Sequence, residues 1–382
     1  MPSLIWEGIA FLLASCRKMY YTGLDTEDRG DGDMTDREIV ERAAAALVGW
    51  YRQNRRDLPW RREPTPYHVW ISEIMLQQTR IEAVLGYYSR FLAALPDLPA
   101  LAAVEEDRLL KLWEGLGYYS RARNLRKAAM QVMEQYGGEL PRRAAELRRL
   151  PGIGEYTAGA IASIAYGEPE PAVDGNVLRV VTRLLTCPED VMAPATRRFV
   201  ADLLRAVYPR GEAAALLTEG IMELGETVCI PNGDALCGRC PLKDLCRARE
   251  SGTVRDYPQR AKLRERRQET RTVLLLRCGG RYAIRRRPES GLLAGLWEFP
   301  NWEGELSAGE LSEQLRVPFV SSRDCGEARH VFTHVEWTMH GILAACEREP
   351  EGFTWRTAEE IARECSIPTA FRAYRTVMLK EK

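Results

Sequence analysis

The sequence lacks an excess of charge of either sign, since Lys and Arg together number 54 and Asp and Glu together also number 54 among its 382 residues. Net charge therefore gives no indication of a nucleic-acid partner, and any basic surface must be local. Hydrophobic residues make up 45% and charged residues 28% of the chain, which is ordinary for a globular protein and sufficient for sizeable cores. The length predicts two or three domains.

A long hydrophobic run is also missing. The apolar run at residues 9–14 is too short to span a bilayer, and basic residues follow it, whereas they precede the apolar run of a signal peptide. Residues 22–33 are rich in Gly and Asp, so we predict that residues 1–34 are a disordered extension. Because nothing indicates export, we expect a cytoplasmic protein of bacterial type, without a membrane segment and without disulfides.

Strand patterns are missing before residue 270. Helical periodicity predicts an all-α domain over residues 35–228, followed by a cysteine-containing loop at 229–250 and a charged linker at 251–271. From residue 272 to 382 the pattern changes to that of an α+β domain. Its predicted elements are strands at 273–276, 282–284, 331–337 and 341–344 and helices at 306–315 and 371–379.

A glycine turn separates two helical runs near residue 150. Pro151, Gly152, Ile153 and Gly154 predict a tight turn, because proline and glycine are not tolerated well inside a helix. The glycines allow the backbone to approach another molecule, and the N–H groups at the start of the next helix favour an anion such as a DNA phosphate. A purely structural turn between helices is the alternative.

Two carboxylates stand out in helical surroundings. Glu73 lies between apolar residues, and Asp174 precedes an apolar helix, where an aspartate is usually an N-cap. A carboxyl in an apolar pocket has a raised pKa and can act as a general acid. With Asp174 as an anion beside an oxocarbenium-like sugar, the pair suits cleavage of a glycosidic bond. The alternative is that each carboxylate is only structural and that the two do not meet.

Four of the ten cysteines are clustered, with seven, two and five residues between successive members. They are Cys229, Cys237, Cys240 and Cys246. A reducing compartment disfavours disulfides, so the cluster predicts a metal site. Four thiolates suit either zinc or a [4Fe–4S] cluster, and the spacing does not separate the two.

Several motifs, in this order, resemble those of adenine DNA glycosylases of the helix–hairpin–helix superfamily, which remove adenine mispaired with 8-oxoguanine. Beside the cysteines they are Trp70-Ile-Ser-Glu-Ile-Met-Leu-Gln-Gln-Thr-Arg80, Glu114-Gly-Leu-Gly-Tyr-Tyr-Ser-Arg121, Leu150-Pro-Gly-Ile-Gly-Glu-Tyr-Thr-Ala158, Val173-Asp-Gly-Asn-Val177 and Gly295-Leu-Trp-Glu-Phe-Pro300. The resemblance covers residues 35–382. It implies a multidomain fold with an all-α helix–hairpin–helix glycosylase domain and an α+β Nudix-like C-terminal domain.

The resemblance implies roles for residues in the helical domain. Glu73 matches the general acid that protonates adenine, and Asp174 matches the carboxylate that stabilises the sugar cation. Asn176 and Glu219 match positions near the flipped adenine. Tyr156 stands where related endonuclease III enzymes have a lysine that forms a Schiff base. The resemblance therefore implies a monofunctional glycosylase that leaves an abasic site.

Recognition of the mispair is implied for a second set of residues. Gln78 and Tyr118 match residues that wedge into the duplex, where something must fill the gap left by a flipped base. Phe332, Thr333 and His334 match the segment that reads 8-oxoguanine. The family commonly has serine where this chain has Thr333, which keeps the hydroxyl group and adds a methyl group.

The four cysteines match the family's [4Fe–4S] ligands, and the resemblance thus selects iron–sulfur over zinc. The first gap is one residue longer than is usual in the family. The C-terminal domain resembles Nudix hydrolases but lacks their paired glutamates. The glutamates that follow Pro300 are Glu303, Glu305, Glu310 and Glu313. We therefore expect this domain to read the oxidised base and not to hydrolyse nucleotides.

The sequence thus predicts hydrolysis of the N-glycosidic bond of adenine opposite 8-oxoguanine or guanine. The expected partner is double-stranded DNA, bound by a monomer associated with the nucleoid. Three alternatives remain, namely a pyrimidine or mismatch glycosylase of the same superfamily, a non-catalytic sensor of DNA lesions and a nucleotide hydrolase acting through the second domain.

Overall fold

The computed structural model describes residues 34–261 and 265–381. The predicted disordered extension, apart from Met34, lies outside the described residues. Within them, no helix combines the length and the apolar character that crossing a membrane requires.

The part of the chain before residue 262 is helical. Its α-helices are α1 (Asp36–Asn54), α2 (Pro59–Arg62), α3 (Pro66–Leu76), α4 (Ile81–Ala94), α5 (Leu98–Ala103), α6 (Glu106–Leu112), α7 (Ser120–Gln135), α8 (Ala144–Leu147), α9 (Glu155–Ala160), α10 (Gly175–Leu185), α11 (Pro194–Arg205), α12 (Glu212–Thr227) and α13 (Arg247–Glu250). A π-helix, Ile161–Ala165, continues α9, and 3₁₀ turns occupy Cys237–Arg239 and Val254–Asp256.

Two hydrophobic cores organise these helices. The first is built mainly from residues 58–162, and the second joins α1 to α10, α11 and α12. The helix α1 begins at a capping box in which Thr35 and Glu38 satisfy each other's backbone N–H groups. It then packs closely on α12, where a Cβ atom added at Gly220 would lie 3.2 Å from the Cβ of Tyr51. The catalytic candidates described below lie between the two cores.

A seven-stranded sheet with helices on both faces forms the C-terminal part. Its strands are β1 (Arg267–Cys278), β2 (Arg281–Arg286), β3 (Trp297–Glu298), β4 (Asn301–Glu303), β5 (Ser321–Val331), β6 (Val335–Ala345) and β7 (Thr354–Thr357). Its helices are α14 (Ala308–Leu315), α15 (Ala358–Glu364), α16 (Arg372–Lys380) and the 3₁₀ turn Thr369–Phe371. The order β3-β2-β1-β6-β5 contains one parallel pair, β1 with β6, while β4 pairs with β1 and β7 with β2.

Three local expectations need correction. The predicted strand over 331–337 is interrupted, since residues 332–334 form the turn between β5 and β6. The strand β5 was not predicted, because it is mostly exposed and lacks alternating apolar residues. The strand β1 begins at Arg267, inside the predicted charged linker, because its first residues pair in parallel with β6.

The two parts of the molecule contact each other directly. The carboxylate of Glu114, which follows α6, lies 2.7 Å from Nη1 of Arg375 on α16. Nζ of Lys111 donates to the carbonyl oxygen of Cys365 at 3.1 Å. Leu296 is buried in the first helical core. The turn between β5 and β6 also lies beside the loop after α6, since the Tyr118 hydroxyl is 3.1 Å from Oγ1 of Thr333.

Candidate active site

A cavity of about 390 Å³ lies between the two helical cores. Five of the predicted site residues line it, and they come from α3, from α9, from the start of α10 and from α12. These five are Glu73, Tyr156, Asp174, Asn176 and Glu219. The structure thus brings together residues that are up to 146 positions apart in the chain.

Glu73 is the most deeply placed acid of the cavity. It lies in α3, where its apolar neighbours are buried, and is only 6% exposed. The hydroxyl of Tyr156 donates a hydrogen bond to its carboxylate. Burial raises the pKa of Glu73 to about 7, the hydrogen bond from Tyr156 opposes this, and the nearby carboxylate of Asp174 adds to it. Glu73 can therefore carry a proton near neutral pH.

The two carboxylate oxygens of Asp174 accept different hydrogen bonds. It is the N-cap of α10, and its Oδ1 accepts the backbone N–H of Val177 at 2.8 Å. Its Oδ2 accepts Nδ2 of Asn176 at 2.9 Å, and the other end of that amide accepts a bond from Arg179 at 2.7 Å. Burial raises the pKa of Asp174, while these amides and Arg179 oppose the rise. Amide donors at a helix N-terminus stabilise the anionic form.

Burial therefore raises the pKa of both catalytic candidates, but their hydrogen-bond donors differ. Glu73 receives one hydroxyl hydrogen bond in an apolar helix, and Asp174 receives several amide hydrogen bonds. The sequence predicted one neutral and one anionic carboxyl. The hydrogen-bond donors agree with that division, although the pKa shifts have the same direction.

Two partners of Glu219 were not singled out from the sequence. The Tyr51 hydroxyl donates to Glu219 at 3.1 Å, and Arg61 lies 3.6 Å from the same carboxylate and 2.8 Å from Glu223. Burial raises the pKa of Glu219, and Arg61 opposes the rise. Arg61 lies in the short helix α2, and nothing in its local sequence reveals a partner 158 residues away.

The glycine hairpin lies at the turn between α8 and α9. Gly152 adopts φ +77°, and a Cβ atom there would lie 2.7 Å from Cβ of Asn124, so this position requires glycine. Gly154 is the N-cap of α9, and no described protein atom lies within 4 Å of a Cβ built there. Ile153 is buried in the first core. The helix before the hairpin is a single turn.

The residues predicted to read the mispair form a second group, apart from the cavity lining. Gln78 and Tyr118 are both exposed and both have positive φ, 57° and 48°. The Tyr118 hydroxyl lies 3.1 Å from Oγ1 of Thr333. Phe332 makes edge contacts with His330 and Trp337, at centroid distances of 4.5 and 4.9 Å. His334 is exposed in the same turn.

The four clustered cysteines line one small cavity near α10 and α12, with mostly apolar walls. Nη1 of Arg183 donates to Sγ of Cys229 at 3.3 Å, and Sγ of Cys246 lies 3.5 Å from the Arg183 carbonyl oxygen. Over residues 34–261 and 265–381, no group of three or more His, Cys, Asp or Glu side chains is arranged to hold a metal ion. The thiols thus share a cavity without converging on a single ion position.

The fold and the buried acids define a class of protein. Residues 71–206 match the family model described as the HhH-GPD superfamily base excision DNA repair protein. Residues 272–376 match that of the NUDIX domain. A thermostable thymine-DNA glycosylase of known structure is 25% identical, with a TM-score of 0.50, over 56% of this chain and 98% of its own. The protein is thus a base-excision glycosylase carrying a C-terminal Nudix-like domain.

Its relatives define the family more closely. The adenine DNA glycosylase of Homo sapiens is 34% identical over 88% of this chain and 75% of its own length. That of Buchnera aphidicola subsp. Schizaphis graminum is 30% identical over 78% of this chain and 85% of its own. The chain belongs to the adenine DNA glycosylase family, whose members hydrolyse N-glycosidic bonds in DNA repair. The predictions of the family, the fold class and the enzyme class are confirmed.

Proposed function

We propose that this chain excises adenine from pairs with 8-oxoguanine or guanine, by hydrolysis alone, and leaves an abasic site. The observation that carries the proposal is the buried Glu73 carboxyl, hydrogen-bonded to Tyr156 and sharing its cavity with Asp174. One acid that can hold a proton and one carboxylate held by amide donors are the pair that cleavage of a base from its sugar requires.

The two carboxylates divide the chemistry. Glu73, whose pKa is raised to about 7, donates its proton to a ring nitrogen of adenine and so improves the leaving group. Asp174 stabilises the positive charge that develops on the sugar. Asn176 holds Asp174, and Glu219 lies near the expelled base. The abasic product follows when water attacks the sugar cation.

Tyr156 supports a reaction without strand cleavage. Its hydroxyl is engaged with Glu73, and a phenol cannot form the Schiff base through which a lysine would nick the strand. The described residues that line the cavity include no lysine. In this proposal the role of Tyr156 is to hold the Glu73 carboxyl in place through its hydrogen bond.

The Tyr118–Thr333 contact supports recognition of the opposite base. It joins a loop of the helical part to the turn of the sheet part through a hydrogen bond of 3.1 Å. An adenine that leaves the stack exposes its partner, so wedge residues and reading residues must lie side by side. In this proposal Gln78 and Tyr118 enter the duplex, and residues 332–334 contact 8-oxoguanine.

The remaining assignments are part of the same proposal. The cysteine cavity suits a polynuclear group, and Cys229, Cys237, Cys240 and Cys246 would hold a [4Fe–4S] cluster. The cluster would cross-link the loop at 229–250 and so stabilise the surface beside DNA. The hairpin at 152–154 would bind a phosphate. We also propose residues 35–228 as the glycosylase domain and residues 272–382, together with the start of β1 from Arg267, as the reading domain.

A set of duplexes tests the proposal. The protein, in excess over DNA, is incubated with duplexes that contain A:8-oxoguanine, A:G, A:C or T:G. We expect free adenine and an alkali-labile site from the first two, fastest from A:8-oxoguanine, and an intact strand before alkali. Release of thymine would favour the pyrimidine alternative, and cleavage without alkali would contradict the monofunctional mechanism.

We expect a monomer in the bacterial-type cytoplasm, bound to the nucleoid.

A further inference from the structure

We propose that Arg121 is a positioning residue that sets the backbone of both Gln78 and Tyr118 and so presents the two wedge residues to the duplex. The inference rests on the proposed function, since it assumes that these two residues enter the DNA. It is carried by a set of contacts made by a single buried guanidinium group.

One arm of the guanidinium holds the end of α3. Nη1 of Arg121 donates to the carbonyl oxygens of Ile74 at 2.7 Å, Met75 at 3.0 Å and Gln77 at 2.7 Å. The last carbonyl groups of a helix have no hydrogen-bond donor within the helix. Arg121 supplies the donors for this end of α3. The helix α3 also carries Glu73, and its end leads directly into Gln78.

The other arm holds the loop after α6. Nη2 of Arg121 donates to the carbonyl oxygens of Leu116 at 3.1 Å and Gly117 at 3.0 Å. The guanidinium carbon lies 5.4 Å from the ring centroid of Trp113 and 5.6 Å from that of Tyr118, which suits a cation–π contact. Arg121 is only 9% exposed. One side chain therefore joins two loops that are about 40 residues apart in the chain.

Both wedge residues adopt a left-handed backbone immediately after a carbonyl that Arg121 binds. Gln78, at φ 57°, follows Gln77, and Tyr118, at φ 48°, follows Gly117. Residues other than glycine rarely adopt this backbone conformation, and it persists only where the surrounding structure holds it. Nε1 of Trp113 also donates to the Gly117 carbonyl oxygen, at 3.2 Å. Among the residues that the structure describes, Arg121 is the one whose side chain binds both preceding carbonyls, and it thereby sets the spacing between the two wedge residues.

Lysine is the appropriate substitution for a test. It keeps the positive charge and the aliphatic stem but replaces a rigid planar fork by one compact donor group. An ammonium group cannot serve both loops in the same geometry. Arg126 provides the matched control, since it lies on the same helix, and its Nε donates to the carbonyl oxygen of Val104 at 2.6 Å, away from both loops.

The experiment compares Arg121→Lys, Arg126→Lys and the unaltered protein on two duplexes. In one, adenine pairs with 8-oxoguanine. In the other, adenine lies opposite an abasic-site analogue, where no partner base holds it in the stack. We expect Arg121→Lys to lower the single-turnover rate roughly 10- to 100-fold on the paired duplex and much less on the unpaired one. Fluorescence of 2-aminopurine beside the adenine should show reduced unstacking with Arg121→Lys. Arg126→Lys should match the unaltered protein on both duplexes.

Equal losses on the two duplexes, or no loss on either, would overturn the inference. Thermal melting by circular dichroism checks the fold of each variant. If Arg121→Lys does not fold, Gly117→Ala takes its place, because Gly117 has φ +71° and open space around it. That change disturbs the Gly117 peptide group, whose carbonyl oxygen Arg121 and Trp113 bind, and it should show the same dependence on the substrate. A failure of the proposed function would be distinct, since the unaltered protein would then not excise adenine opposite 8-oxoguanine.

Discussion

The catalytic cavity and the reading contact between Tyr118 and Thr333 are built on opposite physical requirements. Glu73 is 6% exposed, whereas Tyr118 is 47% exposed. A carboxyl must leave water for its pKa to rise to about 7, but a side chain that enters the duplex must remain open to the DNA. The proposed function therefore assigns chemistry to the buried helices and recognition to the tips of loops.

The two regions also differ in how many domains they need. The lining of the cavity comes entirely from residues 56–226. The reading contact takes one residue from each part of the molecule, and the Glu114–Arg375 ion pair is one of the contacts that join the two parts. Changes in the cavity should thus affect every substrate equally, whereas changes at the reading contact should depend on the base opposite adenine. Four predictions test this division.

The largest effect should come from Glu73→Gln, which removes the proton donor and keeps the shape of the side chain. We expect the single-turnover rate to fall at least 10²- to 10⁴-fold, by the same factor for A:8-oxoguanine and A:G. DNA binding, measured by fluorescence anisotropy, should persist. A variant with an unchanged rate would remove Glu73 from the mechanism.

A somewhat smaller loss is expected for Asp174→Asn. The change removes the charge that stabilises the sugar cation and should cost on the order of 10²–10³ in rate, again for all opposite bases. Because asparagine is as good an N-cap as aspartate, the melting temperature should stay within a few degrees. Asp174→Ala, the comparison variant, should lose both activity and stability. Equal melting temperatures for the two variants would argue against the capping role.

The third prediction concerns the pH dependence of the single-turnover rate, which should be set by Glu73 in the cavity. Because Glu73 must be protonated, and its pKa is raised to about 7, the single-turnover rate should be level at lower pH and should fall above pH 7, approaching tenfold per unit. The Tyr156 hydrogen bond favours the charged form of Glu73 and lowers its pKa. Tyr156→Phe should therefore move the midpoint to higher pH. A midpoint at lower pH in that variant would contradict the assigned contact.

The smallest effect should come from Thr333→Val, which removes a hydroxyl group and preserves the shape. Loss of one hydrogen bond costs about 1 kcal/mol, so the rate or affinity for A:8-oxoguanine should fall about fivefold. The values for A:G should not change. Thr333→Ser keeps the hydroxyl and should retain the preference. An equal loss on A:8-oxoguanine and A:G would show that Thr333 supports the fold and does not read the base.

The sequence predicted the fold class and the family because both depend on local patterns. Glu73 and Asp174 were found because each stands in a short motif whose helix or cap is formed by its own neighbours. Arg61 and Tyr51 were missed as partners of Glu219, because ion pairs between distant segments leave no local pattern. The strand β5 was missed for a related reason, since it is held by pairing with β6 and not by apolar alternation.

The order in which the chain is synthesised gives one structural feature a further consequence. The helix α1 packs on α12, and Tyr51 of α1 binds Glu219 of α12. Apart from Leu296, the residues of the first helical core are all present once about residue 166 has left the ribosome, but α1 must wait for α12 before the second core can close. Glu73 therefore lies on a nearly complete core before the helix that Asp174 caps can pack into the second core. The cavity becomes a working site only when the two ends of the helical domain meet.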